Sequence, residues 1–400
     1  MRFCLPIDPA PRLAVLGVLS IDSHRDFRRE IRGSWMRGSD RAGIKTRFVM
    51  RGLGSVAEGE AQEHGDMLFV KAPADANRKN GPLLSLVLWW RCAVQAWPQV
   101  SLVGKADDDI WVQMTATAAH LRGSLAALAA QPQFTQVDSA PAMFWGLMET
   151  FHWSSAKNRP VGFAKKYGGS GARAECFRRH LNANGSLVRP ERRASRSEDA
   201  WRGAHGHGNL IGPFNFAKGA TRQSIAHVSK LVLIACHLHV GPMYFVSHSL
   251  VAQLNADPGL KRHTDDTVRS ADGARKERFL PWEDVFTGVA LTQSASGKAL
   301  ASVHMHMALY AEGWQFASTP SVLLRHMKAK RASRIGDVER WSSQQSPCVA
   351  HEVTLSCGNA YTSCNGQSWL RCMSLHNRTA CATNRVHIPG VRTVVAAGST

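Results

Sequence analysis

The chain has 400 residues, 44% of them hydrophobic and 20% charged, which excludes global disorder and predicts one large folded domain or two ordinary ones. Its 49 Lys and Arg outnumber 30 Asp and Glu, and the net charge of +19 favours anionic partners such as nucleic acid, phosphorylated ligands or acidic membranes. Nine cysteines are too few for a fold built on disulfides.

Residues 13–112 predict alternating strands and helices. Leu13–Leu19 is a short continuous apolar run, typical of a strand buried on both faces. Ser23 is placed to cap a helix that buries Phe27, Ile31 and Trp35 and turns its arginines to the other faces. The β-α-β alternation predicts an α/β three-layer sandwich with a mainly parallel central sheet and a Rossmann-like N-terminal half. Three further strands and a helix are predicted at Phe48–Met50, Met67–Val70, Val100–Val103 and Gly81–Trp97, respectively.

The rest of the chain is less regular. Residues 171–206 are rich in Arg, Ser, Gly, His and Asn without periodicity, which predicts an exposed loop or an insertion. A helical pattern follows near Ser247–Leu254 and a strand pattern at Ser321–Arg325. Residues 343–400 contain five of the nine cysteines and little helical pattern, so we expect a poorly ordered tail or a small appended segment.

Asp107, Asp108 and Asp109 directly follow the fourth predicted strand, at the sheet edge where ligands bind in α/β folds. Alternate residues of an extended segment point the same way, so Asp107 and Asp109 can share one ligand. Carboxylate oxygens suit Mg²⁺ or Mn²⁺, and these ions commonly bridge to phosphates. A solvated acidic turn is the alternative, but the position at a strand end directly after Lys105 favours the metal site.

Other candidate residues have an ordinary structural explanation beside the functional one. Asp284 lies in an acidic pair after a tryptophan, where desolvation can raise a pKa and make a general base, or where the pair simply begins a helix. Arg28 and Arg32 lie one helical turn apart and can clamp a diphosphate, although a solvated basic face is more common. His326 follows a strand-like run and is unremarkable by itself.

Five motifs occur along the chain in a fixed order: Arg28–Trp35, Arg47–Met50, Glu63–Leu68, Lys105–Val112 and Glu283–Gly288. Together they resemble glycosyltransferase family 31, the β1,3-galactosyltransferase-like family. The pattern of that family reads R-x-x-I-R-x-T-W, R/K-F-x-x-G, E-x-x-x-Y-x-D-I-L, K-x-D-D-D-x-F-V and E-D-V-x-x-G. The resemblance covers most of 12–170 and returns in patches between 211 and 340.

The resemblance implies a GT-A-type domain over residues 12–342, with insertions at 171–206 and 221–243. It also implies a UDP-sugar donor, Mn²⁺ (or Mg²⁺) and inversion at the anomeric carbon, which needs a base for the acceptor hydroxyl and an ion for the departing UDP. Asp107 is expected at the ribose or at a metal-bound water. By position in the family's motifs, the metal ligands are Asp109, Asp107 and His326, the base is Asp284, and the donor site is lined by Arg28, Arg32, Lys105, Asp107 and Asp108.

The implied activity is a metal-dependent, inverting β1,3-hexosyltransferase that moves galactose or N-acetylglucosamine from a UDP-sugar to a glycan or glycoprotein. A relative that binds UDP without transferring sugar is the alternative, because residues 221–243 separate segments that are nearly adjacent in the family. A nucleic-acid-binding protein is the third hypothesis and rests on the charge alone, since no zinc finger, RNA-recognition signature or basic heptad supports it. We therefore expect no nucleic-acid partner.

The location follows from the family rather than from the chain. The longest apolar runs, Leu13–Leu19 and Leu231–Cys236, are far shorter than the roughly 20 residues that span a bilayer. The N-terminus lacks the apolar stretch and cleavage site of a signal peptide, so the printed sequence predicts a soluble chain. Family members are usually type II Golgi membrane proteins, so we expect a Golgi location, with the Golgi membrane a partner only if an N-terminal anchor is missing here.

Overall fold

The secondary structure was derived from a computed structural model of the chain. The helices are α1 (Arg25–Gly33), α2 (Ser55–His64), α3 (Asn80–Ala96), α4 (Met114–Ala129), α5 (His248–Ala256) and α6 (Ser333–Ser343). The strands are β1 (Ala14–Ser20), β2 (Ile44–Arg51), β3 (Met67–Val70), β4 (Leu102–Asp107), β5 (Ile110–Val112), β6 (Ala142–Ser154), β7 (Arg159–Val161), β8 (His237–Ser247), β9 (Leu300–Met305), β10 (Tyr310–Glu312), β11 (Leu324–His326), β12 (Val353–Cys357), β13 (Tyr361–Thr362), β14 (Ser368–His376) and β15 (Arg392–Val394). The described residues are 13–52, 55–71, 80–130, 142–154, 159–161, 237–258, 261, 283, 287, 300–305, 310–312, 324–326, 332–343, 353–357, 361–362, 368–376 and 392–394.

One large sheet organises these elements, in the order β15-β12-β14-β9-β6-β8-β4-β1-β2-β3. The N-terminal strands β3, β2, β1 and β4 are parallel to one another, whereas β8 runs antiparallel to both β4 and β6. A smaller sheet pairs β10 with β11 and β11 with β5. The predicted α/β class and the Rossmann-like order of the N-terminal half are confirmed.

The core lies on both faces of the sheet, because β1 alternates its side chains between them. Leu16 and Val18 pack on the face covered by α1, α4 and α6, where Ile31 of α1 is also buried. Val15 and Leu19 pack on the opposite face, against α3 and α5. Every residue of β1 is buried, as the continuous apolar run predicted, and the result is the expected three-layer sandwich.

The structure differs from the expectations at three places. The N-cap residue of α1 is His24 rather than Ser23, because residues Asp22–His24 form a 3₁₀ turn before the helix. Strand β8 begins at His237, inside the expected insertion 221–243, whose residues 221–236 lie outside the described residues, as does the whole of 171–206.

The third difference concerns the cysteine-containing tail. Its strands β12, β13, β14 and β15 continue the large sheet, and β14 pairs in parallel with β9. Among the described residues the tail is therefore part of the main sheet rather than a separate or poorly ordered segment. Within the same residues, no helix combines the length and the apolar character that a membrane crossing requires.

Candidate active site

The aspartate triplet lies at the carboxyl edge of the parallel strands. Strand β4 runs four residues further than the predicted Val100–Val103 and ends at Asp107, which lies opposite Leu19 of β1. Strand β5 then begins at Ile110, so Asp108 and Asp109 form the turn between the two strands. Ligands of open α/β sheets bind in the crevice outside the carboxyl ends of the strands. The structure therefore puts the triplet where the sequence predicted it.

The middle carboxylate of the triplet is anchored inward. Ser20 Oγ, at the end of β1, donates a hydrogen bond of 2.6 Å to Asp108 Oδ2. His24 Nδ1 lies 2.8 Å from the same oxygen. The hydrogen bond with Asp108 raises the pKa of His24 above its usual range, although burial opposes the charged imidazole. Asp108 is thus fixed between a hydroxyl and an imidazole, with only 8% of its surface exposed.

Arg28 lies beneath this anchor and is completely buried. A guanidinium has five N–H groups, and those of Arg28 are all directed at protein oxygens. Two of them bond the carboxylate of Glu60, at 2.9 and 2.6 Å. The others reach Ser20 Oγ and the carbonyl oxygens of Ile21 and Asp22. Arg28 therefore holds Ser20, which in turn holds the triplet.

Arg32 extends the same ion-pair network. Its guanidinium donates to Glu60 Oε1 at 2.6 Å and to both oxygens of Asp66, at 2.7 and 2.8 Å. Burial alone raises the pKa of a carboxyl, but the hydrogen bonds from Arg28 and Arg32 outweigh it and hold the pKa of Glu60 below its usual range. Both arginines are neutralised inside the protein, so the arrangement does not support the diphosphate clamp predicted from their helical spacing.

Lys105 connects the triplet to the late Glu-Asp motif. Its Nζ lies 2.7 Å from Asp107 Oδ1 and 3.0 Å from Glu283 Oε2, and the ammonium is 3% exposed. The other oxygen of Glu283 accepts a hydrogen bond of 2.8 Å from Tyr244 Oη, on β8. Neither Glu283 nor Tyr244 is predicted as a site residue from the sequence, although both lie in segments that resemble the family, and this resemblance was the available signal.

The structure describes His326 and Asp284 less completely than the other predicted site residues. The backbone of His326, on β11, pairs with that of Ile110, the residue that follows Asp109. This register brings the histidine's backbone beside the triplet, as a joint metal site requires. Asp284 lies outside the described residues, but its neighbour Glu283 is placed beside Lys105.

The donor atoms at this edge fit a divalent cation by their chemistry. Asp107 and Asp109 supply carboxylate oxygens, which Mn²⁺ and Mg²⁺ accept, and a histidine nitrogen is a further ligand suited to Mn²⁺ rather than Mg²⁺. Asp107 is 38% exposed at its side chain, so it remains open to a ligand on one side. No set of three or more His, Cys, Asp or Glu side chains forms a metal cluster within the part of the chain whose side chains are described, which does not include that of His326.

One known protein family matches the N-terminal part of the chain. Residues 26–140 match the family model described as Galactosyltransferase. The matched span begins in α1, extends beyond the end of α4 and contains the first four motifs and the aspartate triplet. Over these residues the chain is similar to the Galactosyltransferase family, in agreement with the resemblance to glycosyltransferase family 31 in its motifs. No curated protein sequence matches the chain.

Two of the solved structures similar to the chain are described as a galactosyltransferase and a bifunctional glycosyltransferase. One is the galactosyltransferase LgtC in complex with donor and acceptor sugar analogues, with a TM-score of 0.36 and 9% identity over 82% of this chain and 95% of LgtC. Another is the bifunctional glycosyltransferase WbbM, with a TM-score of 0.36 and 7% identity over 85% of this chain and 52% of WbbM. Similarity at this level assigns no substrate.

Proposed function

We propose that the protein is a metal-dependent, inverting β1,3-hexosyltransferase that moves galactose or N-acetylglucosamine from a UDP-sugar to a hydroxyl of a glycan or glycoprotein. The observation that carries the proposal is the aspartate triplet at the carboxyl edge of β4. Asp108 is anchored to Ser20 and His24, and Asp107 and Asp109 flank it, within the matched galactosyltransferase domain. This is the arrangement that a bound nucleotide diphosphate and its cation need.

Three side chains would hold the cation. They are Asp109 and Asp107, with His326 from the strand that pairs with β5. When bound, the ion neutralises the negative charge that develops on the departing diphosphate. Lys105 adds a buried positive charge behind Asp107 and holds that carboxylate in place. Asp107 would also contact the ribose or a metal-bound water.

Inversion requires a base on the side of the sugar opposite the leaving group. We assign this role to Asp284, which takes the proton of the acceptor hydroxyl as the oxygen forms its bond to the anomeric carbon. The support is indirect: Glu283 ties the start of this segment to Lys105, and so to the donor side of the site. Glu283 is itself buried and engaged at both oxygens, which makes it unsuited to meet an acceptor.

We place the protein in the Golgi lumen, where galactosyltransferase-family enzymes generally act. Cys92 on α3 is disulfide-bonded, and disulfides persist in the oxidising secretory compartments rather than in the cytosol. The expected partners there are a UDP-sugar donor and a glycan or glycoprotein acceptor. The positive charge of the chain suits such an anionic donor without requiring nucleic acid.

The decisive experiment is calorimetric titration of UDP with and without Mn²⁺, on the wild type and on Asp109→Ala. Loss of a residue that only hydrogen-bonds to a metal ligand costs about 10–100-fold in metal affinity. We therefore expect loss of a ligand itself to weaken Mn²⁺-dependent UDP binding at least as much. Asp26→Asn, at a 69% exposed position on α1, is the matched control and should bind like the wild type. Equal UDP affinity with and without Mn²⁺ would contradict the proposal, and UDP binding without sugar transfer would favour the non-catalytic alternative.

A further inference from the structure

Lys105 is a single buried cation shared by two motifs that are far apart in sequence. Its Nζ lies 2.7 Å from Asp107 of the triplet and 3.0 Å from Glu283 of the Glu-Asp motif. It also lies 5.7 Å from the ring centroid of Tyr244, within the range of a cation–π contact. An ammonium with these neighbours cannot shift toward one carboxylate without loosening its contact with the other.

Three contacts hold Glu283 in place. Its Oε2 faces Lys105, its Oε1 accepts a hydrogen bond from Tyr244, and its carbonyl oxygen accepts a hydrogen bond of 2.8 Å from Thr287 Oγ1. The Tyr244 and Thr287 hydroxyls are also in contact, at 3.2 Å. Glu283 is 6% exposed. A buried, paired carboxylate stays in place because separating it from its partner leaves an uncompensated buried charge.

The anchoring partners stand on the rigid part of the fold. Lys105 is on β4 and Tyr244 is opposite it on the antiparallel neighbour β8, since the two residues are paired in register. Both are completely or almost completely buried. Glu283, the residue before Asp284, is therefore anchored to the central sheet itself.

We propose that Lys105 and Glu283 form a positioning ion pair that sets the Glu-Asp segment, and with it the Asp284 base, relative to the aspartate triplet that holds the donor. This proposal rests on the proposed function. Glu283 acts through its neighbour and does not touch substrate, whereas Lys105 supports both the acceptor side and Asp107. A displacement of about 1 Å at a reacting group can cost about 100-fold in rate, so a link of this kind has a measurable effect on turnover.

The test uses Glu283→Gln in the full chain, since glutamine keeps the size of the side chain and its bond to Tyr244 but removes the charge that faces Lys105. We expect kcat for sugar transfer to fall by about 10–100-fold, while the Kd for UDP with Mn²⁺ stays within about twofold. The acid limb of the pH profile of kcat should remain in Glu283→Gln, and it should disappear in Asp284→Asn. Tyr244→Phe, which removes one hydrogen bond from Glu283, should lower kcat in the same direction by a smaller factor.

Lys105→Met is the second variant, and it is tested for both UDP binding and kcat. It should weaken UDP binding as well as kcat, because it also releases Asp107. Combined with Glu283→Gln it should lower kcat by less than the product of the two single effects, as expected for residues that act as a pair.

Distinct results separate the two proposals. Loss of the acid limb in Glu283→Gln would make Glu283 the base and overturn the positioning role. An unchanged kcat, or a loss of UDP affinity equal to the loss of kcat, would also overturn it. A wild type that shows neither Mn²⁺-dependent UDP binding nor transfer would instead overturn the proposed function.

Discussion

Glu60 neutralises two arginines, Arg28 and Arg32, beneath the site. Its carboxylate, 1% exposed, accepts hydrogen bonds from Arg28 at 2.9 and 2.6 Å and from Arg32 at 2.6 Å. Glu60→Gln keeps the size of the side chain but removes the only carboxylate that pairs with Arg28 among the described residues. Arg32 keeps Asp66, whereas Arg28, which is fully buried, is left with an uncompensated charge.

The expected loss follows from this geometry. Breaking a buried ion pair by removing one partner costs about 3–5 kcal/mol, so Glu60→Gln should lower the free energy of unfolding by that amount at pH 7. The assay is urea denaturation followed by tryptophan fluorescence. Arg29→Gln is the matched control, because Arg29 pairs with Asp26 on the surface with both side chains 69% exposed, and it should change stability by less than about 0.5 kcal/mol.

The pH dependence gives a second test of the same reasoning. The pKa of Glu60 is lowered in the folded state, so its stabilisation is complete above its unfolded pKa of about 4.3 and is lost as the pH falls through the lower folded value. The difference in stability between wild type and Glu60→Gln should therefore shrink below about pH 4. A cost at pH 7 no larger than that of Arg29→Gln, or a difference that does not change with acid, would refute the proposed network.

Two further predictions concern the strand β1. Ser20→Ala removes the 2.6 Å hydrogen bond to Asp108 and should weaken Mn²⁺-dependent UDP binding by about tenfold in calorimetry, whereas Ser20→Thr keeps the hydroxyl and much of the affinity; equal losses in both variants would argue against an anchoring role. Gly17→Ala places a Cβ 2.5 Å from the Trp89 ring and should cost about 1–3 kcal/mol in urea denaturation. Gly33→Ala, whose Cβ would meet nothing within 4 Å, is its control, and a similar cost in both would show that the ring moves aside freely.

The local features of the chain were readable from its sequence. The apolar run Leu13–Leu19 identified a strand buried on both faces, because only such a strand is apolar at every position. The helical spacing of the tryptophans and leucines over Gly81–Trp97 identified α3 within one residue at each end. The position of the aspartate triplet followed from the same pattern, since strand ends in α/β folds mark the ligand edge. Each of these signals depends on neighbours in sequence.

The contacts that build the site were decided by the tertiary structure. Arg28 lies outside the predicted apolar stripe of α1, so its position in the sequence suggested a solvated side chain. The structure buries it completely, because Glu60 on α2 neutralises its charge. Lys105 and Glu283 meet only because β4 and β8 pair in the sheet and Tyr244 holds the glutamate beside them. The position of the tail strands in the large sheet is likewise determined by the pairing of β14 with β9, which are distant in sequence. Periodicity specifies which side chains leave water, but the partner of a buried charge comes from a distant segment, and no local pattern encodes which one.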